Sequence, residues 1–220
     1  MEAGPEVGVA STKAFTSMVL CHYLFGLAVG KKLGKLPPAT YQAAIESLKH
    51  LPSAVDRAVN AAGIIEEVAT RFYEAPNFIF IGRGPSYMVA LEGALKLKEI
   101  SYIHAEGYAG GELKHGPIAL IDRHMPVVAV APQDHHYEKM ISNVEEVRAR
   151  EGQIIGVGDL QDDRLKGLCA DFIPCPSIND SALQAVLSVI PLQLLSYYVA
   201  VKRGTDVDQP RNLAKSVTVE

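Results

Sequence analysis

Apolar and polar positions change rhythm about a third of the way along the chain. Up to residue 76 they recur at helical spacing. Ser11 and Thr12 stand as N-cap candidates before an apolar run over residues 13–29, which Gly30 and Gly34 stop. Leu36-Pro37-Pro38 marks a boundary. A helix over residues 39–51 is expected to break at Pro52, and a longer helical stretch resumes near Ser53 and ends at Ala75-Pro76. From Asn77 onward short apolar runs alternate with helical segments. Residues 78–81, 127–131, 154–157 and 172–173 read as strands, and residues 86–100, 135–150 and 181–202 as helices. That alternation predicts an α/β fold, a parallel sheet covered by helices. The last helix is apolar on most sides and contains Pro191, which predicts a kinked helix buried against the sheet or a second subunit. Beyond Thr205 the one turn signal is Asp208-Gln209-Pro210.

Length and charge narrow the possibilities. The 220 residues allow one full domain plus a remnant, or one large domain. Lys and Arg total 21 against 25 Asp and Glu, a net charge of −4, so there is no positive excess to bind a nucleic acid backbone. A hydrophobic share of 48% and a charged share of 21% fit a packed, soluble chain. The most apolar stretch, residues 18–30, is interrupted by His22, followed by Lys31 and Lys32, and shorter than the ~20 residues of a bilayer crossing. It reads as a buried helix, and no membrane partner is expected. The opening Met1-Glu2-Ala3-Gly4-Pro5-Glu6 lacks a basic leader, which makes the cytoplasm the expected location. Cys21, Cys169 and Cys175 form no C-x-x-C pair and are expected to be reduced core thiols.

Three constellations carry candidate chemistry. In Gly82-Arg83-Gly84-Pro85-Ser86 a strand enters a glycine turn with Pro85 suited to open a helix, but Tyr87 replaces the third glycine of a dinucleotide fingerprint. An anion site and an unliganded βα turn both remain open there. On the following helix Glu92, Lys96 and Glu99 share one narrow stripe of a mainly apolar cylinder. Either the stripe faces something polar, or it is a solvated face with an i,i+4 ion pair; Lys98 lies off it. The third, His104 to Pro117, crowds Glu106, Glu112, Lys114 and His115 among four glycines, as on a shaped loop. His115 suits a general acid or base, since imidazole titrates near neutrality. His104 and His115 lack metal-ligand spacing, so no metal is expected. His135-His136 opens a charged helix and reads as solvated. By spacing, Lys215 is only a residue of a frayed end, because a nucleophilic lysine needs burial or cationic neighbours.

Four stretches resemble one family over the whole chain: Ala3-Gly4-Pro5-Glu6-Val7-Gly8-Val9-Ala10-Ser11-Thr12-Lys13-Ala14-Phe15, the run from Ala90 to Glu106, Gly111-Glu112-Leu113-Lys114-His115-Gly116-Pro117, and the run from Asp206 to Glu220. The family is the glucosamine-6-phosphate synthases, the isomerising glutamine:fructose-6-phosphate amidotransferases. The resemblance implies a three-layer α/β/α sandwich around a five-stranded parallel sheet, flavodoxin-like. It implies that residues 1–36 are the end of a first sugar isomerase (SIS) domain, residues 37–204 a second and residues 205–220 a tail over the active site. It also implies that the N-terminal glutaminase domain and the serine- and threonine-rich sugar-phosphate loop of the first SIS domain are missing from this chain.

The implied substrates are fructose 6-phosphate and ammonia, and the product glucosamine 6-phosphate. The resemblance assigns ring opening to His115, reaching into the pocket from a neighbouring subunit of a homodimer, and a Schiff base to Lys215. It assigns the C1–C2 proton shuttle to Glu99, assisted by Lys96. Val9 and Ala214 would line the sugar site through their backbones, with Ser11 and Lys13 nearby, and no metal or organic cofactor is implied. A noncatalytic SIS module for dimerisation or sugar-phosphate sensing is the alternative.

Overall fold

The computed structural model describes residues 2–215. The helices are α1 (Lys13–Lys32), α2 (Pro38–Val59), α3 (Ala62–Phe72), α4 (Pro85–Ser101), α5 (Tyr137–Arg148), α6 (Asp163–Lys166) and α7 (Ser181–Arg203). The strands are β1 (Asn77–Gly82), β2 (His104–Ala109), β3 (Pro126–Val130), β4 (Gln153–Gly158) and β5 (Asp171–Pro174). All five pair in parallel in the order β2-β1-β3-β4-β5, so the chain reverses direction across the sheet between β1 and β3. The expected fold class, a five-stranded parallel sheet with helices on both faces, is what the structure shows.

Alternating residues of each strand feed the two sides. Phe78 and Phe80 of β1 pack with residues of α2, α3, α4 and α7, whereas Ile79 and Ile81 pack with Met140, Ile141, Val144 and Val147 of α5 and Leu165 of α6. Both faces are therefore covered, as a parallel sheet requires. The apolar α7 is the central helix of the larger layer. It runs unbroken through Pro191, which is buried, and packs most extensively against α4 and α3. Its N-terminus is capped by Asp180, whose Oδ1 accepts from the N–H groups of Ala182 and Leu183.

Several expectations are corrected. Pro52 does not break α2, which continues to Val59. The proline is exposed, while Leu51, Ala54 and Ala58 hold the inner stripe; their burial offsets a backbone cost of about 3 kcal/mol for the missing N–H. The real break falls at Asn60-Ala61. The His104–Pro117 segment is not a loop throughout: residues 104–109 form edge strand β2, specified by pairing with β1 from Asn77↔His104 to Gly82↔Ala109 rather than by branched residues. Two 3₁₀ stretches, Gly110–His115 and Pro117–Leu120, follow it. His135 and His136 precede α5 rather than opening it.

No described residue of α1 is buried, contrary to the expected buried helix, and Met18, Leu24, Phe25, Val29 and Leu33 are exposed. By length and composition α1 and α7 are each apolar enough to cross a membrane, but two-thirds of the α7 window is buried within the protein. Neither Ser11 nor Thr12 caps α1 with its side chain. Instead Glu6 Oε1 accepts from the backbone N–H of Thr12 at 2.8 Å and of Ala14 at 3.3 Å. Cys21 is exposed, so only Cys169 and Cys175 fit the expected core thiols. Burial pushes both of those thiols up to about 12.

Two predictions follow from this packing. A thiol reagent at neutral pH is expected to label Cys21 in the native chain and all three cysteines only after unfolding, as counted by mass spectrometry. At Gly107 a Cβ would lie 2.8 Å from the Leu91 Cα, because α4 sits directly on β2. Gly107→Ala should therefore lower stability by about 1–3 kcal/mol in urea unfolding, with the fold retained.

Candidate functional site

Helix α4 follows a glycine turn whose Gly84 has φ 54°, a left-handed conformation that suits glycine, and Pro85 supplies the first helical φ. Ala90, Gly93, Ala94 and Leu97 are buried, and a Cβ on Gly93 would lie 2.6 Å from Leu192 Cδ1. The tight fit of α4 against α7 carries the charged stripe inward with it. Lys96 is only 4% exposed, with its Nζ 2.5 Å from Glu99 Oε2 and 3.5 Å from Glu92 Oε1. Both carboxylates thus meet the ammonium from the same helix, that of Glu99 at hydrogen-bonding distance. Burial pushes the Glu92 carboxyl above its usual range, against the pull of the Lys96 ammonium. The stripe is not a solvated face, although the i,i+4 pair between Glu92 and Lys96 does form.

Lys96 forms part of the wall of a cleft of about 350 Å³, completed by Glu6 and Lys13 of the N-terminal segment, Gln193 and Tyr197 of α7, and Asp208 of the tail. The two chain ends meet here. The Val9 N–H donates to the Asp208 carbonyl at 2.8 Å, and a Cβ on Gly8 would stand 3.2 Å from Asp208 Oδ1. Lys215 Nζ lies 3.5 Å from Glu6 Oε2. The contacts with Thr12, Ala14 and Lys215 hold the Glu6 carboxyl below its usual range, although partial desolvation opposes them as the largest single influence.

Contacts with the end of α4 fix the described tail. Thr205 Oγ1 donates to the Ile100 carbonyl at 2.6 Å, and Pro210 is buried. The Arg211 N–H donates to the Tyr102 hydroxyl at 2.8 Å, and its guanidinium lies 4.2 Å from the centre of that ring. Through residue 215 the tail is thus docked rather than frayed. Ser216 to Glu220, part of the quoted motif, lie outside the described residues.

Among the sequence candidates, the structure brings Lys96 and Glu99 together on α4 and sets Lys13 on the same cleft as Lys96. Glu99 faces a neighbouring groove with Tyr102, Arg211 and Leu213. Val9 and Ser11 lie in the segment that forms the cleft wall but are not among its lining residues; the Ser11 hydroxyl is buried without a hydrogen-bond partner among the described residues. Ala214 and Lys215 are exposed, the latter at the rim beside Glu6. His115 is exposed at the end of the first 3₁₀ stretch and lines neither cleft. Glu6, Gln193 and Tyr197 were not foreseen: nothing local in the sequence marks Glu6, since its partners are six, eight and 209 residues away.

Comparison with known proteins agrees with this architecture. The chain belongs to the SIS domain family, whose model matches residues 71–203. Over 219 residues it is 54% identical to the glutamine--fructose-6-phosphate aminotransferase [isomerizing] of Pseudomonas syringae pv. tomato, covering 100% of this chain and 36% of that protein. The enzyme of the same name from Aquifex aeolicus is 50% identical over 218 residues, covering 99% of this chain and 35% of that protein. A solved structure, the C-terminal domain of glucosamine-fructose-6-phosphate aminotransferase from Francisella tularensis, superposes with a TM-score of 0.87 at 42% identity, covering 94% of this chain and 58% of that one. The chain thus spans about a third of the length of the curated relatives it matches, and corresponds to their C-terminal part.

The buried ion cluster makes a prediction with a defined sign. Lys96→Met leaves Glu92 and Glu99 facing one another without their cation and should cost about 3 kcal/mol at neutral pH. Without the ammonium to oppose burial, the folded protein holds a proton on the Glu92 carboxyl more tightly than the unfolded chain does. The cost should therefore be full at neutral pH and shrink as pH falls toward the unfolded carboxyl value of about 4.3. Urea unfolding of wild type and variant at several pH values measures it.

Proposed function

We propose that this chain is the C-terminal isomerase portion of a glutamine–fructose-6-phosphate aminotransferase, acting on fructose 6-phosphate and ammonia to give glucosamine 6-phosphate. The observation that carries the reading is the buried Lys96, set between Glu92 and Glu99 beside a cleft that both chain ends help to close. The similarity to enzymes of that name along the whole chain supports it.

The reaction adds ammonia to the ketose phosphate and releases one water. In this reading His115 moves the proton that opens the furanose ring. The neutral Lys215 amine then attacks the C2 carbonyl, loses water as a Schiff base and is displaced by ammonia to leave the C2 imine. Glu99 takes a proton from C1 and returns it to C2, while the Lys96 ammonium assists electrostatically and the O1 hydroxyl proton passes to the imine nitrogen as C1 becomes the aldehyde. The backbones of Val9 and Ala214 line the sugar, with Ser11 and Lys13 beside it. These steps are proton transfers and imine exchange, and call on no metal or organic cofactor.

His115 lies away from the cleft around Lys96, as suits a residue serving the cleft of a second copy, so we assign a homodimer. Residues 1–36 then belong to a first SIS domain, residues 37–204 to a second and residues 205–220 to the active-site tail. The glutaminase domain and the rest of the first SIS domain are its partners in the whole enzyme. A cytoplasmic location suits these phosphorylated metabolites.

Two measurements test the proposal. In calorimetry, glucosamine 6-phosphate should bind the chain, and Lys215→Ala should weaken binding about tenfold. Borohydride added with fructose 6-phosphate should reduce the imine and attach one sugar phosphate to wild type and Glu99→Gln, but none to Lys215→Ala, by mass spectrometry. A folded chain that neither binds nor is trapped overturns the reading for this chain.

A further inference from the structure

A second cleft, of about 330 Å³, lies beyond the carboxyl ends of β1, β3 and β5, where the sheet order reverses between β1 and β3. Parallel α/β sheets place ligands at such a crevice. None of its lining residues belongs to the cleft around Lys96. Asp134 and His135 line it, and His136 follows them in the chain. One potential ligand atom from each of these three residues lies within 4.8 Å of the other two.

The local structure holds Asp134 and His136 in place. The Asp134 carbonyl accepts from the Tyr137 N–H at 3.0 Å, and Asp134 Oδ1 accepts from the His136 N–H at 2.7 Å, leaving Oδ2 free to point elsewhere. The two imidazoles lie with their centres 3.8 Å apart, so the exposed His135 ring must swing off its neighbour to share an ion with it. His136 is seated over Gly84, where a Cβ would come within 2.4 Å of the ring Cε1 and 2.9 Å of Nδ1. The glycine thus gives the ring its place as well as making the turn before α4.

The His136 Nδ1 atom is buried and has no hydrogen-bond partner among the described residues. It lies 3.7 Å from Asp134 Oδ2, too far for a hydrogen bond. The separation is close to the ~3.3 Å between neighbouring ligands of a tetrahedral ion bonded at 2.0–2.1 Å. A cation between the two atoms would satisfy both.

We propose that Asp134, His135 and His136 form a binding site for a divalent transition-metal ion of the zinc class. Two imidazoles and one carboxylate suit such an ion over magnesium or calcium, which take mostly oxygen ligands. Three protein ligands leave a fourth position for water or a small ligand.

The test is a calorimetric titration of the untagged chain with zinc chloride near neutral pH. One equivalent should bind, and His136→Ala, His135→Ala and Asp134→Asn should each weaken binding about tenfold or more. Asparagine keeps the Oδ1 acceptor for the His136 N–H, so that variant alters the ligand and spares the turn. His104→Ala, at an exposed histidine elsewhere, should leave binding unchanged. Cobalt(II) should give a visible absorption band that is lost in the same three variants. Should His136→Ala fail to fold, His135→Ala and Asp134→Asn decide the outcome. Absence of stoichiometric binding, or binding indifferent to these substitutions, overturns the proposal.

Discussion

An ammonium group taken out of water must bring its counter-charges with it, and the arrangement around α4 follows from that constraint. The helix fits closely between β2 and α7 through Gly107 and Gly93, and the fit draws Lys96 into a nearly dry position. Glu92 and Glu99, one turn to either side, meet the charge from the same helix. Their carboxylates contact the ammonium at 3.5 and 2.5 Å. The cluster is therefore held together electrostatically in a low-dielectric setting, where each charge is felt more strongly than in water.

The site is assembled from elements with different roles. The sheet and α7 give rigidity, and α4 presents the charges. The N-terminal segment and the tail add walls that neither could hold alone, with Glu6 joining the start of α1 to the tail through a single carboxylate. Tyr102 secures the other side, its left-handed backbone ending α4 while its hydroxyl and ring receive Arg211.

The fold was largely legible because strands β1, β3 and β4 are compact apolar runs and the helices between them have clear spacing. The Glu92, Lys96 and Glu99 stripe was legible for the same reason: helical periodicity alone puts them together. Edge strand β2 was not, since the run from His104 to Ala109 is polar and small and becomes a strand only by pairing with β1. Pro52 misled because local backbone cost was weighed without the buried stripe of Leu51, Ala54 and Ala58 that overrides it. Glu6 and the His136–Gly84 contact were beyond reach, since each joins residues whose proximity only the folded chain creates. The family resemblance supplied roles for Lys215 and His115 that spacing alone did not.

The pairing of Glu6 with Lys215 joins residues 209 positions apart, and Val9 with Asp208 nearly as many. Contacts across such a span carry the largest loop-closure entropy and gain little until the intervening domain has already folded. The cleft beside Lys96 is thus completed late in folding and opened early in partial unfolding, while the sheet beneath it stays intact. Amide exchange would sense that ordering as weak protection at Val9 beside strong protection in β1 and β3, a gradient running from the rim of the cleft to its floor.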